Sequence, residues 1–171
     1  MAVIIFILIF SVFSLLYSAL FVPMPVNDKG TVRYNSTPYA TIALIFANVV
    51  VFLAFQAPDL IAYLTSPENS VEQFTAIVNY QNTVVNYGFR GLYLREGYSI
   101  GAFTTFTSIF MHADFNHLIG NMVFLWAFGR RLEDACGPWR YVVFYIVAGV
   151  IANMGTAILA INTDLPSVGA S

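Results

Sequence analysis

The chain alternates between long apolar stretches and shorter polar ones, and this pattern predicts its elements. A helix needs about 20 mostly apolar residues to cross the hydrocarbon core of a bilayer. The pattern predicts an all-α fold, a polytopic membrane helix bundle with spans at 1–22, 39–57, 115–134 and 141–161. Residues 58–111 mix charges with many aromatic side chains, which suit the level of the lipid headgroups, so a long outer loop is predicted there.

The first apolar stretch, 1–22, carries no charge and predicts an extra N-terminal transmembrane anchor. A cleaved signal peptide is the alternative, but such a peptide needs a basic region at its start, and none is present. Residues 23–38 contain Lys29 and Arg33 and are predicted to form a cytoplasmic linker. Lys and Arg favour the cytoplasmic side of short loops. The arginine-rich loop 129–140 is therefore also predicted inside, and 162–171, which has no Lys or Arg, outside.

Several residues predict where the spans end and how they pack. Asp114 suits the N-cap of the third span, because its short side chain can accept a hydrogen bond from a free helix N–H group. Gly137 and Pro138 are predicted to end this span and begin the next. Asn48 in the second span predicts a contact between helices. The fourth span has small residues that favour close helix packing: Ala148, Gly149, Ala152 and Gly155.

The composition supports a membrane protein and excludes other classes. Hydrophobic residues make up 58% of the 171 residues and charged residues only 9%, whereas soluble domains carry about a quarter charged residues. The net charge is -2 and no basic stripe is present, so nucleic acid is not expected as a partner. Cys136 is the only cysteine, which excludes an internal disulfide.

The candidate chemistry lies at the start of the third span. His117 and Asn121 are four residues apart, so a helix places them on one face about 6 Å apart along its axis. Polar side chains in such apolar surroundings usually face a bundle interior or a water-filled cavity and indicate function. A histidine that simply packs against a neighbouring carbonyl is the alternative. His112 and His117 are roughly 140° apart around a helix, and without a HExxH motif or a cysteine cluster no metal or cofactor is predicted.

Four sequence segments together carry a family resemblance: FTSIFMHADFNHLIGNM, GRRLEDACG, WRYVVFY and the terminal SVGAS. With them the chain, from about residue 39 to residue 171, resembles the rhomboid family of intramembrane serine proteases. The resemblance implies that Ser171 is the nucleophile and that His117 and Asn121 stabilise the oxyanion. The family's Gly-x-Ser-Gly motif corresponds to 169–171 without its final glycine.

The resemblance also implies supporting roles. His112 and Gly169 are expected to support the site, and Glu133 and Gly137 to be structural. The implied activity is endopeptidase cleavage of transmembrane substrate helices near their outer end through an acyl-enzyme. Transmembrane proteins and the lipid bilayer are the implied partners, and the plasma membrane is the expected location.

Two departures qualify these expectations. The span at 1–22 lies outside the six-helix core of the family. The family's general base is a histidine two helices beyond the serine, and the sequence stops at Ser171. A truncated or partly sequenced rhomboid, inactive as a fragment, is therefore expected. The main alternative is an inactive rhomboid-like protein that binds and routes transmembrane clients, and a weaker one is a channel or transporter subunit.

Overall fold

The computed structural model describes residues 37–95 and 99–159 and Val168, and its helices confirm the predicted all-α class. Some predictions fall on parts of the chain outside this description: 1–22, nearly all of 23–38, Gly169 and Ser171.

The second predicted span is a helix that breaks near its end. Helix α1 (Tyr39–Phe55) is followed by helix α2 (Ala57–Thr65), and the two are bent by 49°. Pro58 lies in the first turn of α2, where its ring and its missing N–H group interrupt a continuous helix. Gln56 occupies the break, and its side chain is completely buried. A polar amide is therefore enclosed by protein at the bend.

The segment 58–111, predicted as a long outer loop, is largely helical. Besides α2 it contains helices α3 (Val71–Tyr87), α4 (Gly91–Arg95) and α5 (Ser99–Thr107) and a 3₁₀ turn, Ser108–Phe110. The charges that lower its hydropathy include carboxylates in first helical turns, where they favour the helix dipole. Hydropathy alone does not separate such short polar helices from a loop. Their position outside the bilayer stays a prediction.

The third predicted span is one continuous helix with a wider turn in its middle. It consists of α6 (Phe115–Phe124), a π-helical turn (Leu125–Gly129) and α7 (Arg130–Cys136). The Asp114 side chain caps its start by accepting a hydrogen bond from the His117 N–H group over 2.9 Å, as predicted. Gly137 ends it with φ of 86°, a left-handed conformation that favours glycine. Helix α8 (Pro138–Leu159) follows directly.

Polar contacts join helices that are distant in the sequence. Asn48 donates to the Leu44 carbonyl oxygen over 2.7 Å and to the Tyr145 hydroxyl of α8 over 3.2 Å, which confirms the predicted helix contact. Asn153 of α8 donates to the Thr105 carbonyl oxygen and to the Ser108 hydroxyl, both over 2.9 Å. Such bonds between helices are typical of bundles in which apolar faces meet lipid.

Of the two glycines on α8, Gly149 makes the closer packing contact. A Cβ atom on this glycine would lie 2.8 Å from two side-chain carbons of Ile109. A Cβ atom on Gly155 would meet no atom within 4 Å. The close approach predicted for this surface therefore occurs at Gly149, against the 3₁₀ turn.

The helix lengths support one or two membrane spans among the described residues. Residues 138–158 are long and apolar enough to cross a bilayer, and α1 with α2 would provide a second crossing if the bent pair counts as one span. The outward faces of α1 and α8 are apolar, with Phe46 68% exposed and Ile158 72% exposed. Exposed apolar patches of this kind indicate contact with a membrane or a partner.

Candidate active site

The candidate site begins in residues 111–114, the short non-helical segment that connects the 3₁₀ turn to α6 and is named the histidine turn below. His112 in this turn is 1% exposed. Its backbone N–H group donates to Gln56 Oε1 over 3.0 Å, and Gln56 Nε2 donates to the His112 carbonyl oxygen. The Gln56 amide therefore satisfies both backbone polar groups of His112.

Ala113, the next residue, connects the turn to α3 and to the His117 ring. The Tyr80 hydroxyl donates to the Ala113 carbonyl oxygen over 2.7 Å. The Ala113 N–H group donates to His117 Nδ1 over 3.5 Å. A neutral imidazole has one donor and one acceptor nitrogen, so an accepting Nδ1 places the ring proton on Nε2. In this geometry His117 is a hydrogen-bond donor at Nε2.

The two histidine rings are in contact. The ring centroids of His112 and His117 are 5.3 Å apart, and the rings meet edge to face at 71°. Burial, reinforced by the neighbouring His117, lowers the pKa of His112 to about 4, and the Phe110 backbone and the Asp114 carboxylate offset only part of this shift. His112 is therefore neutral near pH 7. Its buried Nδ1 has no hydrogen-bond partner among the described residues.

A cavity of about 290 Å³ lies between the helix 115–136 and α8. His112 and Asn121 line it, whereas His117 does not line it and instead packs against His112. Asn121 is one helical turn beyond His117 on the same face of α6. Most of the remaining wall is apolar, and it includes Ile109, Phe128, Leu132, Phe144 and Ala148. The structure thus brings His112, His117 and Asn121 together beside one cavity.

Glu133 and Gly137 lie at the other end of the same helix, with Glu133 roughly 24 Å from His117 at 1.5 Å per residue. The Glu133 carboxylate is 5% exposed. It accepts hydrogen bonds from the Ala40 N–H group over 2.9 Å, and from the Thr41 N–H and hydroxyl groups, each over 2.8 Å. Glu133 thus binds the first turn of α1, where N–H groups have no partner within the helix.

A metal site is not built from the described residues, which contain no group of three or more His, Cys, Asp or Glu side chains that could hold an ion. Gly169 and Ser171 lie outside the described residues, so the structure gives no distance between Ser171 and His117.

Sequence reasoning missed Gln56 and Tyr80, the two side chains that bind the histidine turn. Gln56 is a polar residue inside a predicted span, which is a weak signal of a buried polar contact. Tyr80 lies in the segment predicted as a loop and carried no comparable signal. Their partners are 56 and 33 residues away along the chain, and only the folded arrangement reveals the contacts.

Comparison with known proteins decides the family. A model described as the Rhomboid domain matches residues 100–171, which include both histidines and Asn121. The putative rhomboid protease YdcA of Bacillus subtilis (strain 168) is 30% identical over 133 residues, which are 78% of this chain and 60% of that protein. The chain belongs to the rhomboid family. Rhomboid proteins are integral membrane proteins, and the exposed apolar faces of α1 and α8 agree with this.

Other rhomboid relatives match shorter regions. Rhomboid-like protein 11, chloroplastic, of Arabidopsis thaliana is 34% identical over 84 residues, which are 49% of this chain and 29% of that protein. The presenilin-associated rhomboid-like protein, mitochondrial, of Homo sapiens is 33% identical over 66 residues, which are 37% of this chain and 17% of that protein. The chain thus spans at most 60% of the length of these relatives. No solved structure matches it significantly.

Proposed function

We propose that this rhomboid protein is an intramembrane serine endopeptidase that uses Ser171 as its nucleophile. One observation carries the proposal: His117 and Asn121 occupy successive turns of α6, and Asn121 lines a cavity together with His112. A carboxamide that lines an open cavity, with a donor-bearing imidazole one helical turn away, suits the stabilisation of a negatively charged oxygen.

In the proposed reaction the Ser171 hydroxyl oxygen forms a bond to the carbonyl carbon of the scissile peptide. Its proton passes to a general-base histidine, which the family resemblance places two helices beyond the serine. Negative charge develops on the carbonyl oxygen. This oxygen accepts hydrogen bonds from His117 Nε2 and Asn121 Nδ2, and the Ser171 N–H group is a third donor. The peptide C–N bond then breaks, the amine leaves with the proton, and water hydrolyses the acyl-enzyme.

The proposed substrates are transmembrane helices cut near their outer end. A peptide bond within a helix is shielded by its own hydrogen bonds, so the substrate must unwind locally before attack. Residues that weaken a helix are therefore expected near the cleavage site. No cofactor enters this chemistry. The partners of the protein are then the substrate helix and the surrounding bilayer.

Active-site labelling tests this proposal most directly. The full-length gene product in detergent is treated with a fluorophosphonate probe, and the Ser171→Ala variant provides the control. We expect labelling that the substitution abolishes, together with cleavage of at least one single-span substrate. Absence of serine-dependent labelling and of cleavage, combined with recovery of intact transmembrane clients bound to the protein, would instead support the inactive rhomboid-like alternative.

We further propose the plasma membrane as the location. Relatives are named as chloroplastic and mitochondrial proteins, so membrane fractionation of a tagged full-length protein is the appropriate test. Co-purification with an organelle membrane would contradict the proposed location and leave the proposed chemistry unaffected.

A further inference from the structure

The histidine turn is held by two side chains that lie outside the matched Rhomboid domain and have no assigned role, Gln56 and Tyr80. We infer that Gln56 and Tyr80 are positioning residues, which fix the histidine turn so that the Ala113 N–H group holds His117 in the tautomer that donates from Nε2. The consequence for catalysis rests on the proposed function. The consequence for the histidine tautomer does not.

Three consecutive peptide units carry the argument. Gln56 Oε1 accepts a hydrogen bond from the His112 N–H group, which belongs to the peptide unit before His112. Gln56 Nε2 donates to the His112 carbonyl oxygen, and Tyr80 donates to the Ala113 carbonyl oxygen. These two oxygens belong to the next two peptide units. Gln56 therefore binds the first two units and Tyr80 binds the third, and both side chains come from parts of the fold outside the turn.

The middle peptide unit connects Gln56 directly to His117. The His112 carbonyl group and the Ala113 N–H group are parts of one planar peptide. Gln56 binds the oxygen of this peptide, and His117 Nδ1 accepts from its N–H group over 3.5 Å. Donation to the oxygen polarises the unit and strengthens its N–H group as a donor. If the plane rotates, Nδ1 loses its donor and the proton is no longer fixed on Nε2.

The chemistry at position 56 is demanding. At this reach a carboxamide offers a donor and an acceptor side by side at every pH, and the Gln56 side chain is completely buried. The polar amide of Gln56 also acts on the Tyr80 hydroxyl, where it counteracts the rise in the Tyr80 pKa caused mainly by burial and further by the Asp114 carboxylate. The two positioning residues therefore belong to one network.

The decisive substitution is Gln56→Glu. The ionised carboxylate accepts from the His112 N–H group but cannot donate to the His112 carbonyl oxygen. A protonated carboxyl group can do both. The ionisable groups around this position among the described residues are Tyr80 on α3, His112 and Asp114 in the histidine turn, and His117 in the first turn of α6. Burial favours the protonated form, so the missing donor returns as the pH falls.

The experiment measures the ¹⁵N shifts of the His117 ring in the full-length protein, assigned by their loss in His117→Ala. We expect the Nε2–H tautomer in the neutral His117 ring of the wild type, and a tautomer mixture in Gln56→Glu at neutral pH. As the pH falls, the tautomer ratio of the neutral ring in Gln56→Glu should approach the wild-type ratio measured at the same pH. For cleavage, kcat of this variant should fall about 10-fold at neutral pH with KM little changed, because the oxyanion donor acts in the transition state. The ratio of variant kcat to wild-type kcat should rise as the pH falls.

Gln73→Glu is a matched control. The Gln73 amide also accepts from a backbone N–H group, that of Asn69 over 2.9 Å, and donates to a backbone carbonyl oxygen, that of Tyr63 over 3.3 Å. These contacts lie between α2 and α3, away from the histidine turn. The control substitution should change neither the His117 tautomer nor the pH dependence of kcat.

Tyr80→Phe is a second variant, for use if Gln56→Glu does not fold. It removes one hydroxyl group from a half-buried side chain and should lower kcat by about 2- to 10-fold while loosening the same tautomer. An unchanged His117 tautomer in both variants would overturn the inference, as would losses that are the same at every pH. If the variants show the expected tautomer changes but the wild-type protein shows no Ser171-dependent cleavage, the proposed function fails and the positioning role stands.

Discussion

The helix 115–136 is attached to α1 at both ends, and the two attachments differ. At the glutamate end, defined here as Glu133 with Ala40 and Thr41, one carboxylate accepts three hydrogen bonds of 2.8 to 2.9 Å. The histidine end is defined here as the histidine turn with Gln56 and His117. Amide and imidazole groups make the contacts to the turn there, and one of these contacts is long. His112 Nδ1 has no partner among the described residues, and the bond to His117 Nδ1 measures 3.5 Å.

The difference between the two attachments indicates that the glutamate end stabilises the fold and that the histidine end serves the chemistry. Three donors on one buried carboxylate satisfy N–H groups that a helix start otherwise leaves unpaired, which favours the folded bundle. Imidazole and amide groups at the histidine end keep hydrogen-bonding capacity beside a cavity, where a ligand can use it. Functional sites commonly give up local stability in this way. Substitutions at the glutamate end should therefore change unfolding, and substitutions at the histidine end should change turnover.

The largest effect is expected for Glu133→Ala. Removing the carboxylate leaves three buried donors of Ala40 and Thr41 without their partner, and the loss should be about 3 to 5 kcal/mol in the free energy of unfolding. Titration with a denaturing detergent measures it. Glu68→Ala, at an exposed position, is the matched control and should change stability by about 0.5 kcal/mol at most. Equal stability of the two variants would contradict the assignment of the glutamate end.

At the histidine end, His117→Ala and Asn121→Ala should each reduce kcat by about 100- to 1,000-fold, because each removes one proposed oxyanion donor. The double variant should lose less than the product of the two single losses, since residues that act as one unit are not additive. Cleavage of a transmembrane substrate by full-length protein measures both. A rise in KM with unchanged kcat would mean that these side chains bind the substrate uniformly and do not act in the transition state.

The pH dependence of stability sharpens the comparison further. The folded pKa of His112 is about 4, below its ordinary value of 6.5. Below pH 6.5 the His112 ring therefore takes up a proton in the unfolded chain but not in the folded protein. The stability present above pH 6.5 is lost as the pH falls towards 4. Between pH 7 and pH 5 the loss should reach about 2 kcal/mol.

His112→Gln provides the reference for this measurement, because it removes the titrating group while the backbone bonds to Gln56 remain available. The difference in unfolding free energy between wild type and variant should shrink or reverse between pH 7 and pH 5. The titration of carboxylates elsewhere cancels in this difference. Parallel stability curves over the whole range would mean that His112 titrates normally in the folded protein.

The sequence predicted features that depend on neighbouring residues and missed those that depend on distant ones. Asp114 as a cap, and Gly137 followed by Pro138 at a helix boundary, follow from local backbone chemistry, and the structure has all three there. The contact between Thr41 and Glu133 joins residues 92 apart, and no periodicity encodes it.

The same limit applies to the candidate site. The spacing of His117 and Asn121 fixes a shared helix face, whatever the rest of the fold does. The tautomer of His117 depends instead on a turn that Gln56 and Tyr80 reach from other helices. Hydropathy also gave no sign of the helices within the predicted outer loop 58–111, because short helices with charged first turns have a low average hydropathy. The sequence pattern thus predicts which residues form the candidate site, and tertiary contacts decide how their side chains are oriented.

The smallest effect is expected when a single hydroxyl group is removed from the glutamate end. Thr41→Val removes the hydroxyl that donates to Glu133 over 2.8 Å and leaves both backbone N–H donors in place. The free energy of unfolding should fall by about 1 to 2 kcal/mol, because the lost bond is to a charged acceptor that keeps two partners. Thr156→Val, whose exposed hydroxyl donates to the Ala152 carbonyl oxygen over 3.2 Å, is the matched control. If both variants are equally stable, the Thr41 hydroxyl adds nothing to the attachment, and the two backbone donors alone hold α1 to Glu133.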